Sequence, residues 1–466
     1  MERTHTEKRI DLLHSSLWDK IPRYALPIAA TAILEQLFNA SDLAVVGNFA
    51  HADRTIAVAA IGANSSIIAL ILNLFIGIAL GANVVIANAI GRQAKETVHK
   101  AVHTSIVFSF LCGLLVALLG ELVAEPLLEL LRVPADVLPS ALLYLRIYLL
   151  GLPVIFLYNF EAAIFRSIGA TRTPLKALAT AGILNVLLNL FFVLALNMTV
   201  NGVAIATVLS NGVNSLILFR KLRHIDHWVQ LDVSALKVDR PVLANILKIG
   251  LPTGIQSAVF ALSNIVIQSA INSLGAVAMA ASSAAFHLEM IAYAVMNSFS
   301  QACATFVSQN YGAGQLLRCR KTFVLCLLEG AIASAAAIVV VLFTGRFLLS
   351  LFNNDPAVID IGYIRLLTVF FAYIFSMLYE VMSGYLRGFG NSMVPSLLTI
   401  VGVCIVRIAW IQFVFPIYQT FQTIMTAYPV SLSTTAVLIS LALLHYRPVK
   451  TMLQTTYTQN VCQDVN

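Results

Sequence analysis

The sequence predicts an all-α polytopic membrane protein, with twelve transmembrane helices in two six-helix bundles related by an internal repeat. Three observations carry this. Of the 466 residues, 59% are hydrophobic and only 11% charged, and the mean hydropathy is +0.86. A soluble domain is nearer half apolar and a quarter charged. The apolar residues lie in long runs of the length a helix needs to cross a bilayer, about 20 residues. The two halves of the chain echo one another at an offset of about 220 residues. This composition excludes an ordinary cytosolic enzyme, a disordered chain and a nucleic-acid module. The unbroken runs exclude a transmembrane β-barrel, whose strands are short and alternate in hydropathy.

In chain order the runs place helices near 24–48, 56–90, 101–123, 139–166, 176–196, 203–221, 249–273, 277–310, 322–345, 363–387, 395–416 and 424–445. The second and eighth are long for one span, which implies tilt or extension beyond the bilayer. If both termini lie inside, the inner segments hold 23 of the 29 lysines and arginines, six of them across 220–248. The outer loops hold only Arg54, Arg132 and Arg346, while Arg146, Arg365 and Arg407 fall within helices. Such a bias orients the chain with both termini cytoplasmic. It also explains the formal charge of +7 as topology rather than affinity for nucleic acid. The polar stretch from Met1 to Lys20 lacks the short apolar core of a removable signal peptide, so the first run is expected to remain as a helix. The six cysteines, Cys112, Cys303, Cys319, Cys326, Cys404 and Cys462, are scattered without a C-x-x-C pair and read as small structural residues.

The repeat rests on several matches in one order. Ala57-Val58-Ala59 answers Ala276-Val277-Ala278, and Tyr144-Leu145-Arg146 answers Tyr363-Ile364-Arg365. Arg166-Ser167-Ile168-Gly169 with Pro174 answers Arg387-Gly388-Phe389-Gly390 with Pro395. Pro27 and Pro252 stand in Leu-Pro pairs at the expected openings of helices 1 and 7. Six helices per half put both halves into the membrane in one orientation, related by an axis along its normal. The expected domains are therefore residues 1–222, a cytoplasmic linker at 223–247, and 248–466 ending in a short tail. A cleft between two such bundles suits alternating access.

Acidic side chains inside apolar helices point to function. A carboxylate at membrane depth costs about 2.5–3.5 kcal/mol on insertion scales, so it should face a cavity or a partner. Well inside the runs lie Glu35, Asp42, Glu161, Glu289, Glu329 and Glu380. They outnumber the arginines, which suggests a cavity for cations lined by Glu35, Glu161, Glu289 and Glu380. The alternative is that some of them pair with arginines or sit near the interface, Glu329 above all, and that Glu161 and Glu380 serve packing. Glu35, Asn39 and Asp42 fall on one face of helix 1. Asn185 and Asn189 lie one turn apart in helix 5, and Thr207, Asn211 and Asn214 share a face of helix 6. Their oxygens suit Na⁺, and a lone carboxylate among amides equally suits a proton. Interhelical hydrogen bonding is the plainer alternative. In the second half the position matching Asp42 is Ile267, so an ion site belongs to the first bundle. His99 and His103 have metal-like spacing but stand beside Lys100 at a helix start, where a solvated or headgroup-facing pair is the simpler reading. Gly312-Ala313-Gly314 lacks the Lys-Ser/Thr ending of a phosphate loop, so no nucleotide is expected and transport must draw on an ion gradient.

These residues resemble a known family. Asn39-Ala40-Ser41-Asp42 with Val46-Gly47 is similar to the first-helix signature of the multidrug and toxic compound extrusion (MATE) family. So are Phe165-Arg166-Ser167-Ile168-Gly169, Gly202-Val203-Ala204-Ile205-Ala206-Thr207 and Ser308-Gln309-Asn310-Tyr311-Gly312-Ala313-Gly314. The resemblance spans about residues 20 to 445 and is nearest to the DinF-like and bacterial drug-exporter branches. It implies a two-lobed, V-shaped exporter exchanging H⁺ or Na⁺ for amphipathic, often cationic compounds. Asp42 falls on the family's first-helix aspartate, and Asn185 and Thr207 on polar positions of the first-lobe ion site. Asn189 stands where that branch often has a second aspartate. Phe260 and Ser376 stand where the NorM-like branch carries acids in helices 7 and 10.

The expected protein is thus a secondary active exporter and not an enzyme, multi-pass in a bacterial plasma (inner) membrane and monomeric. It needs no cofactor beyond the coupling ion, and no metal beyond Na⁺ at Asp42. Its coupling residues are Asp42, Asn39, Asn185, Asn189 and Thr207, and its partners are small amphipathic molecules and the lipid bilayer. Two alternatives compete. A lipid-linked precursor flippase would favour extra helices or a basic central cavity. A membrane-embedded transferase would want a polar catalytic loop, for which only His224, Asp226 and His227 cluster.

Overall fold

The structure, a computed structural model, describes residues 9–49, 54–225 and 227–449. Residues 1–8, Asp226, Cys462 and the rest of the expected tail from 450 lie outside the described residues. Twelve helical segments follow one another: α1 Leu17–Phe49, α2 Arg54–Gly91, α3 Lys95–Leu130, a bent α4 of Leu138–Leu150 and Leu152–Ser167, α5 Arg172–Ala195 and α6 Val200–His224. The second set is α7 Arg240–Asn272, α8 Ala276–Gly312, α9 Leu316–Ser350, α10 Pro356–Gly388, α11 Met393–Tyr418 and α12 Phe421–Tyr446. Ten are long and apolar enough to cross a membrane, and α4 makes eleven when its two arms count as one span. The remaining segment, α1, is 33 residues long, but Asp19, Lys20, Arg23, Glu35 and Asp42 lower its hydropathy. The protein is an all-α, multi-pass membrane protein.

Local chemistry explains where the helices differ from the apolar runs. Pro27 and Pro252 do not open their helices but lie inside α1 and α7, which begin at Leu17 and Arg240. A long packed helix tolerates the single backbone bond a proline removes. The run at 139–166 is bent by 49° between Leu150 and Leu152, beside Pro153, whose ring excludes a regular continuation. α5 ends in a π-helical turn at Phe191–Ala195, and α11 contains two, at Ile400–Ile405 and Trp410–Val414.

The repeated Arg-x-x-Gly motif is a helix stop. Gly169 and Gly390 have φ of +79° and +83°, the left-handed region that L side chains avoid. Beyond them, Ala170 N–H donates to Phe165 C=O (2.9 Å) and Asn391 N–H to Leu386 C=O (3.1 Å). Both are the six-to-one bonds of a Schellman cap. Gly314, with φ +73°, caps α8 in the same way through Gln315 N–H on Asn310 C=O (2.9 Å), so this glycine segment serves to end a helix.

The chain forms two compact units. Among the described residues, the first comprises Arg9, 30–49, 54–86, 94–225 and 227–247, and the second 10–29, 87–93 and 248–449. In the first, Asn64 donates to Ala141 C=O (2.9 Å), Asn83 to Ala163 C=O (3.1 Å), and Phe75 stacks on Phe156. In the second, Tyr24 packs edge-on against Phe306, and Asn310 donates to Leu12 C=O (3.0 Å). The five described cysteines are free, four of them buried.

Candidate functional site

Asp42 is buried in the first unit among side chains of three helices. Gly182 of α5 permits the approach, because a Cβ there would lie 1.8 Å from the ring of Phe38. Phe38 stands one turn before Asp42 on the same face of α1, and Asn185 and Asn189 follow Gly182 on α5. Seating the Phe38 ring on Gly182 therefore brings Asp42 to the two amides. Asn189 Nδ2 donates to Asp42 Oδ1 at 2.6 Å and to Asn185 Oδ1 at 3.2 Å. From α6, Thr207 Oγ1 lies 3.1 Å from Asp42 Oδ2 and 2.9 Å from Val203 C=O, and it accepts from Asn185 Nδ2 at 3.5 Å. Asn189 Oδ1 is buried with no hydrogen-bond partner among the described residues. The carboxylate, two amides and a hydroxyl converge, and among the described residues no cation lies within ion-pair distance of Asp42.

Glu35 and Glu161 of this unit also have uncharged hydrogen-bond partners. Tyr158 donates to Glu35 Oε1 (3.3 Å), and Ser215 to Glu161 Oε2 (2.9 Å), while Glu161 Oε1 has no partner among the described residues.

The second unit is built differently. Arg365 clasps Glu289 through two bonds, Nε to Oε1 at 2.6 Å and Nη2 to Oε2 at 2.9 Å, with both side chains almost wholly buried. Ser282 accepts from Nη1, and Tyr428 shares Nη2 with Glu289 at 3.4 Å. Arg407, equally buried, lies over the rings of Tyr428 (4.3 Å) and Phe260 (5.3 Å) and donates to Ser431 (2.9 Å). Glu380 accepts from Tyr293 (3.2 Å), and Arg387 donates to Gln256 (2.9 Å).

Residues 27–191 and 252–411 match the MatE family, one block in each half of the chain. The chain belongs to the MatE family. MatE proteins are exporters rather than enzymes, and the family couples transport to H⁺ or Na⁺. The chain is similar to the probable multidrug resistance protein YoeA of Bacillus subtilis (strain 168), with 24% identity over 433 residues, 91% of this chain and 93% of the relative. It is 26% identical over 407 residues to the probable multidrug resistance protein YpnP of the same organism, covering 86% and 89%. Among solved structures it is similar to the outward-facing conformation of a multidrug resistance MATE family transporter of the MOP superfamily. That match has a TM-score of 0.87 and 20% identity, and covers 96% of this chain and 99% of the other. The twelve-helix, two-bundle fold is the fold of these transporters.

In this MatE exporter, four of the five expected coupling residues meet: Asp42, Asn185, Asn189 and Thr207. Asn39 does not join them. It lies exposed on α1, because the face turned to α5 follows the i, i+4 line of Phe38 and Asp42, and the residue after Phe38 is turned about 100° from that line. Of the four acids expected to face substrate, Glu289 is instead neutralised by Arg365, since the packing of α8 against α10 brings a guanidinium within bidentate reach. Glu161 and Glu380 are buried against Ser215 and Tyr293, and Glu35 is half-buried. Nor are His99 and His103 a solvated pair: His103 is buried against the linker. The sequence reading missed Tyr158, Tyr293, Ser215 and the Tyr428–Phe260 cage of Arg407. Each joins helices far apart in the chain, where spacing carries no signal.

Proposed function

We propose that this MatE exporter is driven by H⁺ or Na⁺ taken up at Asp42, and that it expels amphipathic cations by alternating access. The observation that carries the reading is a buried carboxylate whose partners are all neutral. Such a charge is stable only when a mobile cation shares it. Thr207 suits a proton. Its single hydroxyl hydrogen has two acceptors within reach, Asp42 Oδ2 and Val203 C=O. When Asp42 takes a proton, the hydroxyl turns wholly to Val203 and its oxygen accepts from the new acid, so no hydrogen bond is lost. Na⁺ would use Asp42 and the partnerless Asn189 Oδ1, hard oxygens of the kind it prefers. One carboxylate without a second aspartate at 189 favours the proton over sodium. Neutralising Asp42 changes its hold on α5 and α6, and transport follows if the two access states differ in their affinity for the ion.

Glu35, Glu161 and Glu380 are the proposed substrate-facing acids, each hydrogen-bonded to a hydroxyl rather than paired to an arginine at contact distance. The positive-inside bias supports a plasma membrane location with both termini cytoplasmic, and both compact units are built within one chain, which supports a monomer. The deciding experiment is transport in proteoliposomes with Na⁺ and H⁺ gradients imposed separately, against a panel of organic cations and neutral amphiphiles. Export of cations driven by a proton gradient alone is the expected result. Export that ignores both gradients would remove Asp42 from the mechanism.

A further inference from the structure

Away from Asp42, the first unit holds a cavity of about 980 Å³ between the start of α3, the end of α6 and the linker that follows. Its walls are firmly tied. His103 Nδ1 donates to His99 C=O (2.7 Å), and its Nε2 accepts from Asp232 N–H (3.1 Å), which clamps the linker to α3. Leu231 N–H donates to Leu222 C=O (2.9 Å), and Asp239 N–H to Thr104 Oγ1 (3.0 Å).

Among the described residues, the cations of this cavity that lack a carboxylate partner, Lys95 and Arg223, outnumber its one acid without a cation, Asp232. Of its two acids, Glu96 points to Lys100 (2.7 Å), and Asp232 Oδ1 accepts from the N–H and hydroxyl of Ser234 (2.9 and 2.6 Å). Lys95 and Arg223 also line it, and among the described residues neither lies within ion-pair distance of a carboxylate. Lys95 sits over the Trp228 ring at 5.1 Å instead. The cavity also stands at the edge of the apolar surface. Leu216, exposed on α6 two turns before Arg223, lies about 10 Å along that helix. At its mouth Val233 is 45% exposed, and Leu236, just beyond, is 38% exposed. Two cations without a carboxylate partner among the described residues, a tryptophan and outward aliphatic side chains at the end of a span are what a membrane interface selects.

We propose that this cavity binds the phosphate headgroup of an anionic phospholipid, with Lys95 and Arg223 as its cationic contacts and Val233 and Leu236 entering the acyl boundary. The lipid would thereby fasten the linker to the first unit. This site is independent of the ion chemistry at Asp42.

The test uses purified full-length protein in neutral detergent, with phosphatidylglycerol, phosphatidylcholine or inorganic phosphate as probe. Binding is read by native mass spectrometry and by the shift in thermal unfolding. The wild type is expected to retain phosphatidylglycerol and not phosphatidylcholine. The double variant K95A/R223A should bind about thirtyfold more weakly, about fivefold for each basic residue. V233D, which places a negative charge at the mouth, should weaken binding as well. R172A/K176A, two exposed basic residues at the start of α5, should leave it unchanged. Equal losses in the two double variants would mean diffuse charge attraction and would overturn the site. Equal retention of phosphatidylcholine would do the same. Displacement of phosphatidylglycerol by equimolar inorganic phosphate would show a soluble phosphate ligand and refute the lipid.

Discussion

Two arginines at matching places in the repeat have opposite fates. Arg365 is 2% exposed and clasps Glu289 with two hydrogen bonds. Arg146, its counterpart in Tyr144-Leu145-Arg146, is 46% exposed and lies 3.5 Å from Glu121 and 3.9 Å from Glu125. The acids differ in the same way: the buried Asp42 of the first unit has amides and a hydroxyl around it, while Glu289 of the second is neutralised within the fold. At the position matching Asp42, the second repeat has Ile267, buried in its core. The two repeats thus place their buried acids at different positions, Asp42 among neutral partners in the first and Glu289 against Arg365 in the second. A closed pair holds helices together, whereas an open carboxylate can exchange a cation.

Asp42→Asn tests the open side and carries the largest expected effect. Gradient-driven export in proteoliposomes should fall to background while the thermal unfolding profile stays near that of the wild type, because an amide keeps the hydrogen-bonded shape. Normal efflux from this variant would place coupling elsewhere and dissolve the contrast. On the closed side, Arg365→Met leaves Glu289 buried and unpaired, and should cost about 3–5 kcal/mol of stability. Adding Glu289→Met should recover much of that loss, as measured by unfolding in detergent. If the single variant is as stable as the double, the pair contributes nothing and the two units do not differ as described.

Gly182→Val sharpens the geometry of the open site. Its Cβ meets the Phe38 ring, and overpacking of this kind costs about 1–3 kcal/mol. Displacing Phe38 should also move Asp42 from Asn185 and Asn189, so ion-driven export should fall more than the stability loss accounts for. Unchanged ion dependence in a folded Gly182→Val protein would show that the contact does not set the site. Arg146→Ala should matter least, within about 0.5 kcal/mol by thermal unfolding, because exposed ion pairs contribute little. A loss as large as that of Arg365→Met would erase the difference between the repeats.

Much of this architecture was legible from the chain alone. Long apolar runs and the Arg-x-x-Gly stops repeated in each half are local signals. Bilayer thickness and backbone hydrogen bonding turn them directly into spans. The helical period likewise put Asn185 and Asn189 on one face. The details that failed were those of strain and packing. The 49° break in α4 and the π turns in α5 and α11 depend on how neighbouring helices satisfy freed backbone groups, which apolar content does not encode.

The sequence by itself determined that Asp42 must find company inside the membrane, because a carboxylate among apolar residues is costly without it. Only the tertiary structure decided who that company is. Asn189 and Thr207 lie 147 and 165 residues further along the chain, and the Glu289–Arg365 pair spans 76. Helix periodicity fixes which face a side chain occupies, but not which other helix meets that face. Close packing settles that, here through a phenyl ring seated on a glycine, and it also excluded Asn39 from a site its spacing had promised.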